Sequence, residues 1–207
     1  MPIATAGRSG SLDLGFARDP AGRTYLRRQH ATHPFHVCRA QYLDRPRSGQ
    51  ATVYLQSCSG GLFRGDRHQV TIACDPGARA HVTTQASTVV HRADGDPARQ
   101  AVALAVGAGA VLEYCPDPAI LFPGAGLVNR TRVTLAPGAA ALLWDACLGH
   151  DPGGAGAPFD RLDTDVQVLD DRGRLRAADR MAVTGAAFAA GTVGVMGPAT
   201  CLGTVML

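Results

Sequence analysis

The sequence predicts a mainly β fold, in which stacked β-hairpins form a superhelical, two-layer, β-solenoid-like body with one or two short helices. Three observations predict it. Short apolar runs alternate with polar residues at a period of two. The runs are punctuated by turns rich in Gly and Pro. Three of those turns, at Gly77, Gly109 and Gly138, recur about thirty residues apart, roughly the size of one supersecondary unit. The plainer alternative is a β-sandwich whose hairpins share glycine-containing turns.

Residues 1–10 read as a disordered N-terminus and residues 11–207 as a single β domain. An early turn stands at Asp19-Pro20-Ala21-Gly22. A glycine-rich turn, Ser59 to Asp66, leads into the first clear copy of the repeat. There the turn Asp75-Pro76-Gly77-Ala78 is followed by a strand in which Arg79, His81, Thr83 and Gln85 alternate with Ala80, Val82 and Thr84. The second copy runs from Leu104 to Tyr114 and the third from Val133 to Leu143; a weaker one, starting at Val166, turns at Gly173. Residues 149–158, rich in Gly and Pro, read as a mobile loop. From Ala182 to Leu207 there is no charged residue, a length that would admit a membrane span. Gly185, Gly191, Gly194, Gly197, Pro198 and Gly203 point instead to a segment packed through small residues, part of it helical, before a terminal strand over 200–207.

Composition narrows the function. The formal net charge is +3 and every one of the 20 cationic residues is Arg. Without Lys there is no P-loop lysine, Schiff-base lysine or Ser-Lys dyad. Arg outnumbers Asp before Gln100, and the acids outnumber Arg after it. That polarity suits a protein partner better than a nucleic acid, for which aromatic stacking platforms are scarce. The six Cys form no C-x-x-C pair, and no basic-then-apolar leader opens the chain, so a reducing cytoplasm is expected. No nucleophile elbow or catalytic-cysteine signature is present, and the expectation is that the chain is not an enzyme.

Three groups of residues carry candidate chemistry. His30, His33, His36 and Cys38 are borderline metal ligands at short spacing. Pro34 denies them a helix, and in an extended strand residues three apart face opposite ways. Arg64-Gly65-Asp66 spells an adhesion tripeptide but reads as a turn. Glu113, the only glutamate, with Asp117 and Asp145, could place carboxylates in a shared interior that attracts a divalent cation or water. The same Glu113 and Asp117, if paired in an open cleft, would suit a hydrolase.

Read together, Ser59 to Asp66, Thr83 to Thr88 and Leu112 to Ile120 resemble the urease accessory protein UreD (UreH) family. Lesser matches continue through Asn129 to Val133 and Asp179-Arg180. The resemblance implies a non-enzymatic maturation factor that binds UreF and, through it, the GTPase UreG. It implies docking on the urease apoprotein, with nickel in transit through an internal passage and no tightly bound cofactor. By position in the shared motifs, Ser87, Thr88, Glu113 and Asp117 would line that passage, as would Asp145 at the end of the third repeat. Gly60, Gly61, Gly65 and Asp66 would shape turns. The chain departs from the family wording at Val89-Val90-His91 and at His150, and the family's usual C-terminal extension is expected to be absent. A stand-alone nickel or zinc protein using His30, His33, His36 and Cys38 is the alternative.

Overall fold

The three recurrent glycines sit at stacked corners of a coil. In the computed structural model, which describes residues 7–43 and 49–207, Gly77, Gly109 and Gly138 all have left-handed backbones, with φ of 69°, 64° and 71°. Such angles suit glycine because it has no Cβ to clash. Each corner also bonds to the next: the Gly77 N–H donates to the Ala108 carbonyl at 2.9 Å, and the Gly109 N–H to the Pro137 carbonyl at 3.2 Å.

The chain opens with β1 (Ser9–Arg18), β2 (Thr24–Ala31), β3 (Phe35–Val37) and β4 (Ala51–Ser57). It then coils through β5 (Arg67–Cys74), β6 (Arg79–Thr84), β7 (Thr88–Val90), β8 (Ala98–Val106), β9 (Val111–Cys115), β10 (Ala119–Leu121), β11 (Gly126–Leu135), β12 (Ala140–Gly149) and β13 (Arg161–Asp170). It closes with β14 (Leu175–Thr184), a short helix α1 (Gly185–Ala189) and β15 (Cys201–Met206). Ser9 and Gly10, expected in the disordered N-terminus, already belong to β1; residues 1–6 lie outside the described residues.

Two sheets face each other. Sheet A has the order β14-β13-β11-β8-β5-β1-β2, and sheet B the order β3-β4-β6-β9-β12-β10-β7, with β15 added on β12. The two-layer, mainly β solenoid stands as the sequence predicts, in about four turns. Its unit differs in one respect: the arms on either side of Gly77, Gly109 and Gly138 do not pair with each other as hairpins do. β5 lies in sheet A and β6 in sheet B, and each pairs in parallel with the matching arm one coil later, β5 with β8 and β6 with β9. True hairpins occur at the ends of sheet A, where β1 with β2 and β13 with β14 turn at the predicted Asp19–Gly22 and Gly173 sites. The antiparallel strands β3 and β15 are likewise peripheral, so parallel coiling is confined to the middle.

The alternation read in the sequence supplies the core. From sheet A, Val70, Ile72 and Cys74 align with Val102, Leu104 and Val106 and all are buried. From sheet B, Val53, Ala80, Val82 and Leu112 meet them. Small side chains let the layers approach closely, and removing these apolar surfaces from water is the main stabilising term. A second apolar cluster, with Leu62, Val90, Leu121, Leu127, Leu162 and Phe188 among its members, lies toward the opposite corner. Outside that corner Phe63 stacks on His91 at 4.3 Å, His91 meets Phe122 edge-on and Phe122 meets His150, one ring per coil.

The uncharged C-terminal segment resolves into α1, capped by the Thr184 hydroxyl accepting from the Ala187 N–H at 3.3 Å, and the edge strand β15. Among the described residues no helix is long and apolar enough to cross a membrane. After Gly149, the loop of the predicted mobile segment is drawn in by Asp151, whose carboxylate accepts from the Gly153 and Ala157 amides at 2.9 and 3.0 Å.

Candidate functional site

Between the two apolar clusters the inward-facing positions turn polar. The cause is visible strand by strand in sheet A, where one position in each coil breaks the apolar series. His68 precedes Val70 and Ile72; Gln100 precedes Val102 and Leu104; Asn129 precedes Thr131 and Val133; Thr164 precedes Val166 and Val168. Parallel in-register pairing sets His68 beside Gln100, Gln100 beside Asn129 and Asn129 beside Thr164. The four therefore form one polar row across the sheet.

Sheet B faces this row with a seam. β6 stops at Thr84 and resumes as β7 at Thr88; β9 stops at Cys115 and resumes as β10 at Ala119. In the first coil the glycine-rich turn after Ser57 occupies the same level, since Leu62 bridges to Val90 in parallel. Pro116 and Pro118 cannot donate to a ladder, which favours the break in the third coil. β12 runs through without interruption, pairing with β9 before the seam and with β10 beyond it.

Row and seam enclose a cavity of about 370 Å³ lined by residues of every coil, from Phe35, Gln56 and Ser59 at one end to Asp179, Thr204 and Met206 at the other. Ser87, Thr88, Asp117 and Asp145 all line it. Asp145 faces inward because it shares its side of β12 with the buried Leu143 and Cys147. Its carboxylate accepts from the Asn129 amide at 3.3 Å. Burial pushes its pKa up to about 6, the Asn129 hydrogen bond opposes the shift, and the Asp179 charge adds to it. Asp117 accepts from the Thr84 hydroxyl at 3.3 Å, while its own N–H donates to that hydroxyl at 2.8 Å.

Glu113 lies elsewhere. Leu112 and Tyr114 take the inward positions of β9, so Glu113 turns to the outer face and its carboxylate pairs with Nδ1 of His81 at 2.7 Å. It does not line the cavity, and it cannot form a cleft pair with Asp117. The His30, His33, His36 and Cys38 grouping is not supported either: among the described residues, no group of three or more His, Cys, Asp or Glu comes together to hold a metal ion. His30 and His36 are exposed on different strands, β2 and β3, as the alternation of an extended chain dictates.

The turn residues shape the wall. Gly61 has φ of 130°, and a Cβ there would stand 2.2 Å from the Val89 carbonyl oxygen. Gly65 has φ of 71°, whereas Gly60 needs no such angle. Asp66 is buried and accepts from the amides of Arg8 and Phe63 at 2.8 and 2.9 Å, which removes it from any adhesive role.

Residue-by-residue reading missed His68, Gln100, Asn129, Thr164 and Asp179 as cavity-lining groups. The signal was the polar residue standing two and four places before inward residues that are apolar in every copy except at Thr131. Two of these groups carry unpartnered atoms: His68 Nε2 and Asn129 Oδ1 are buried without a hydrogen-bond partner. Burial also lowers the His68 pKa, against the pull of Asp66, so its imidazole favours the neutral, electron-donating form. The Cys147 thiol in the cavity wall is held protonated, its pKa pushed up to about 12 by burial and by Asp145. The donors facing the cavity are therefore carboxylate, amide and hydroxyl oxygens with one imidazole, and not thiolates.

Comparison with known proteins agrees with this architecture. The family model described as UreD urease accessory protein matches residues 8–207. A protein named urease accessory protein UreD 1, from Methylorubrum extorquens (strain PA1), is 45% identical over 207 residues, covering 100% of this chain and 69% of its own. Another of that name, from Pseudomonas syringae pv. syringae, is 43% identical over 194 residues, covering 94% of this chain and 68% of its own. Urease accessory protein UreD 2 of Streptomyces griseus is 34% identical over 195 residues, covering 94% of this chain and 65% of its own. With a family match across almost its whole length, the chain belongs to the UreD urease accessory protein family, a family of accessory proteins and not of enzymes.

Proposed function

We propose that this chain is a urease maturation factor that passes nickel along its internal cavity toward the urease apoprotein, in a cytoplasmic complex with UreF and, through it, UreG. One observation carries the reading: a single cavity is lined by every coil of the solenoid and presents weakly binding oxygen donors along its length. A borderline cation is attracted by Asp117, Asp145 and Asp179 and stepped between hydroxyls and amides. Because the donors are spread singly and the Cys147 thiol is protonated, no deep trap holds the ion, and delivery requires release as well as capture. Asp145 is the central group, with Asn129 positioning it from the opposite sheet. The six cysteines are all free, in keeping with a reducing compartment.

Co-production with urease subunits, UreF and UreG tests this reading. Asp145→Asn, alone or with Asp117→Asn, is expected to lower the nickel content of the isolated urease while the complex still co-elutes on a size column. Unchanged nickel with the complex intact would remove the passage; loss of the complex would assign these residues to assembly.

A further inference from the structure

The motif Asn129-Arg130-Thr131-Arg132-Val133 is only half used by the cavity. Asn129, Thr131 and Val133 face inward; Arg130 and Arg132 project from the outer face of sheet A, both exposed. We propose that this outer face docks an acidic, extended segment of a partner protein, held by Arg130 and Arg132 through carboxylates at alternate positions. The surface is on the opposite side of the sheet from the cavity and is independent of nickel transit.

Charge is the first argument. Four arginines of this face are ion-paired: Arg28 with Asp13 at 2.9 Å, Arg99 with Asp96 at 2.9 Å, Arg161 with Asp163 at 2.7 Å and Arg180 with Asp165 at 3.2 Å; exposed Arg67 on β5 adds a further cation to the face. Asp165 is the register neighbour of Arg130, yet its carboxylate is taken by Arg180 and by the Gln167 amide at 3.2 Å. Among the described residues neither Arg130 nor Arg132 has an ion pair or a side-chain hydrogen bond. Two adjacent uncompensated guanidiniums on one strand repel each other and favour an anionic partner.

Shape is the second. The register neighbours of Arg130 and Arg132 on β8 are Ala101 and Ala103, so the arginines stand beside a trough that reaches Gln69 and Thr71 on β5; with Asp165 and Gln167 on β13 beyond the arginines, the whole depression has a volume of about 490 Å³. With strands about 4.8 Å apart, the trough is roughly 10 Å across, the width of one extended chain with its side chains. Alternate residues of a strand are about 6.7 Å apart, so Arg130 and Arg132 match the spacing of carboxylates at positions i and i+2 of a second extended chain. Each guanidinium offers a two-pronged donor set to a carboxylate. The trough is lined by no aromatic ring that could stack a base, which favours a protein over a single-stranded nucleic acid.

The test uses the full chain and a fluorescein-labelled peptide of alternating Ala and Glu, read by anisotropy at low salt. The expected result is saturable binding that weakens about tenfold or more in Arg130→Gln/Arg132→Gln, weakens with added salt and vanishes when Lys replaces Glu in the peptide. An unchanged thermal midpoint in the double variant shows that the fold is retained. Absence of saturable binding, binding indifferent to the two arginines, or equal binding of an oligo-dT strand through the same residues would each overturn the proposal.

Discussion

Sheet A and sheet B coil together through the same turns but are built differently. Sheet A runs unbroken through five parallel strands, and its polar row interrupts only the side-chain pattern, not the backbone ladder. Sheet B breaks its ladder at one level in successive coils and lets turns supply the wall. The unbroken sheet fixes register over the whole length, so the broken one is free to place glycines, prolines and acids where a ladder would have excluded them. The rigid layer thus carries its polar groups on ladder strands, and the broken layer carries its own on turns.

The comparison breaks most visibly if the unbroken sheet is damaged. Ile72→Ala empties a fully buried site between Val70 and Cys74 and is expected to cost about 3 to 5 kcal/mol, read as a fall in the urea midpoint. At the seam, Gly61→Ala combines a φ of 130° with a Cβ 2.2 Å from the Val89 oxygen; a loss of roughly 2 to 3 kcal/mol is expected by the same measurement. A loss below half a kcal/mol would mean that the seam yields and does not shape the wall.

The facing groups are tested by pH. The Asp145 carboxyl has its native pKa raised from 3.8 to about 6, so between those values the native state binds the proton more tightly than the unfolded state does. Its contribution to stability is therefore fully present below about pH 4 and lost as pH rises through about 6. The stability of Asp145→Asn relative to the parent should rise by roughly 2 kcal/mol between pH 4 and pH 7, measured by denaturant titration at both. A flat difference would place Asp145 in contact with solvent. The smallest effect belongs to the outer face of sheet B: His81 and Glu113 are about 30% exposed, and replacing both by Ala should cost less than about 1 kcal/mol and leave urease nickel content unchanged.

Much of the solenoid was legible because its corners are written in glycine: Gly77, Gly109 and Gly138 mark them without reference to anything distant. Which strand each arm pairs with was not legible, since an arm alternates identically whether it folds back on its neighbour or stacks on a coil about thirty residues away. For the same reason Glu113 was misplaced. Its setting between Leu112 and Tyr114 already gave its parity, but only knowledge of which face is enclosed turns parity into orientation. Asp145 could be placed because Leu143 and Cys147 share its parity in an apolar run. His68, Gln100, Asn129 and Thr164 were legible only as an aligned set, because each alone is an ordinary polar residue in a strand.

The parallel stacking of arms has a kinetic side. Val70 pairs with Val102 and Val102 with Thr131, so the contacts of each coil reach back only to the coil before it. From β5 onward, closing that distance costs a similar modest loop entropy at each step. The chain can accordingly wind up in order, each finished coil offering its open edge as the template for the next, and emergence from the ribosome supplies the coils in that order.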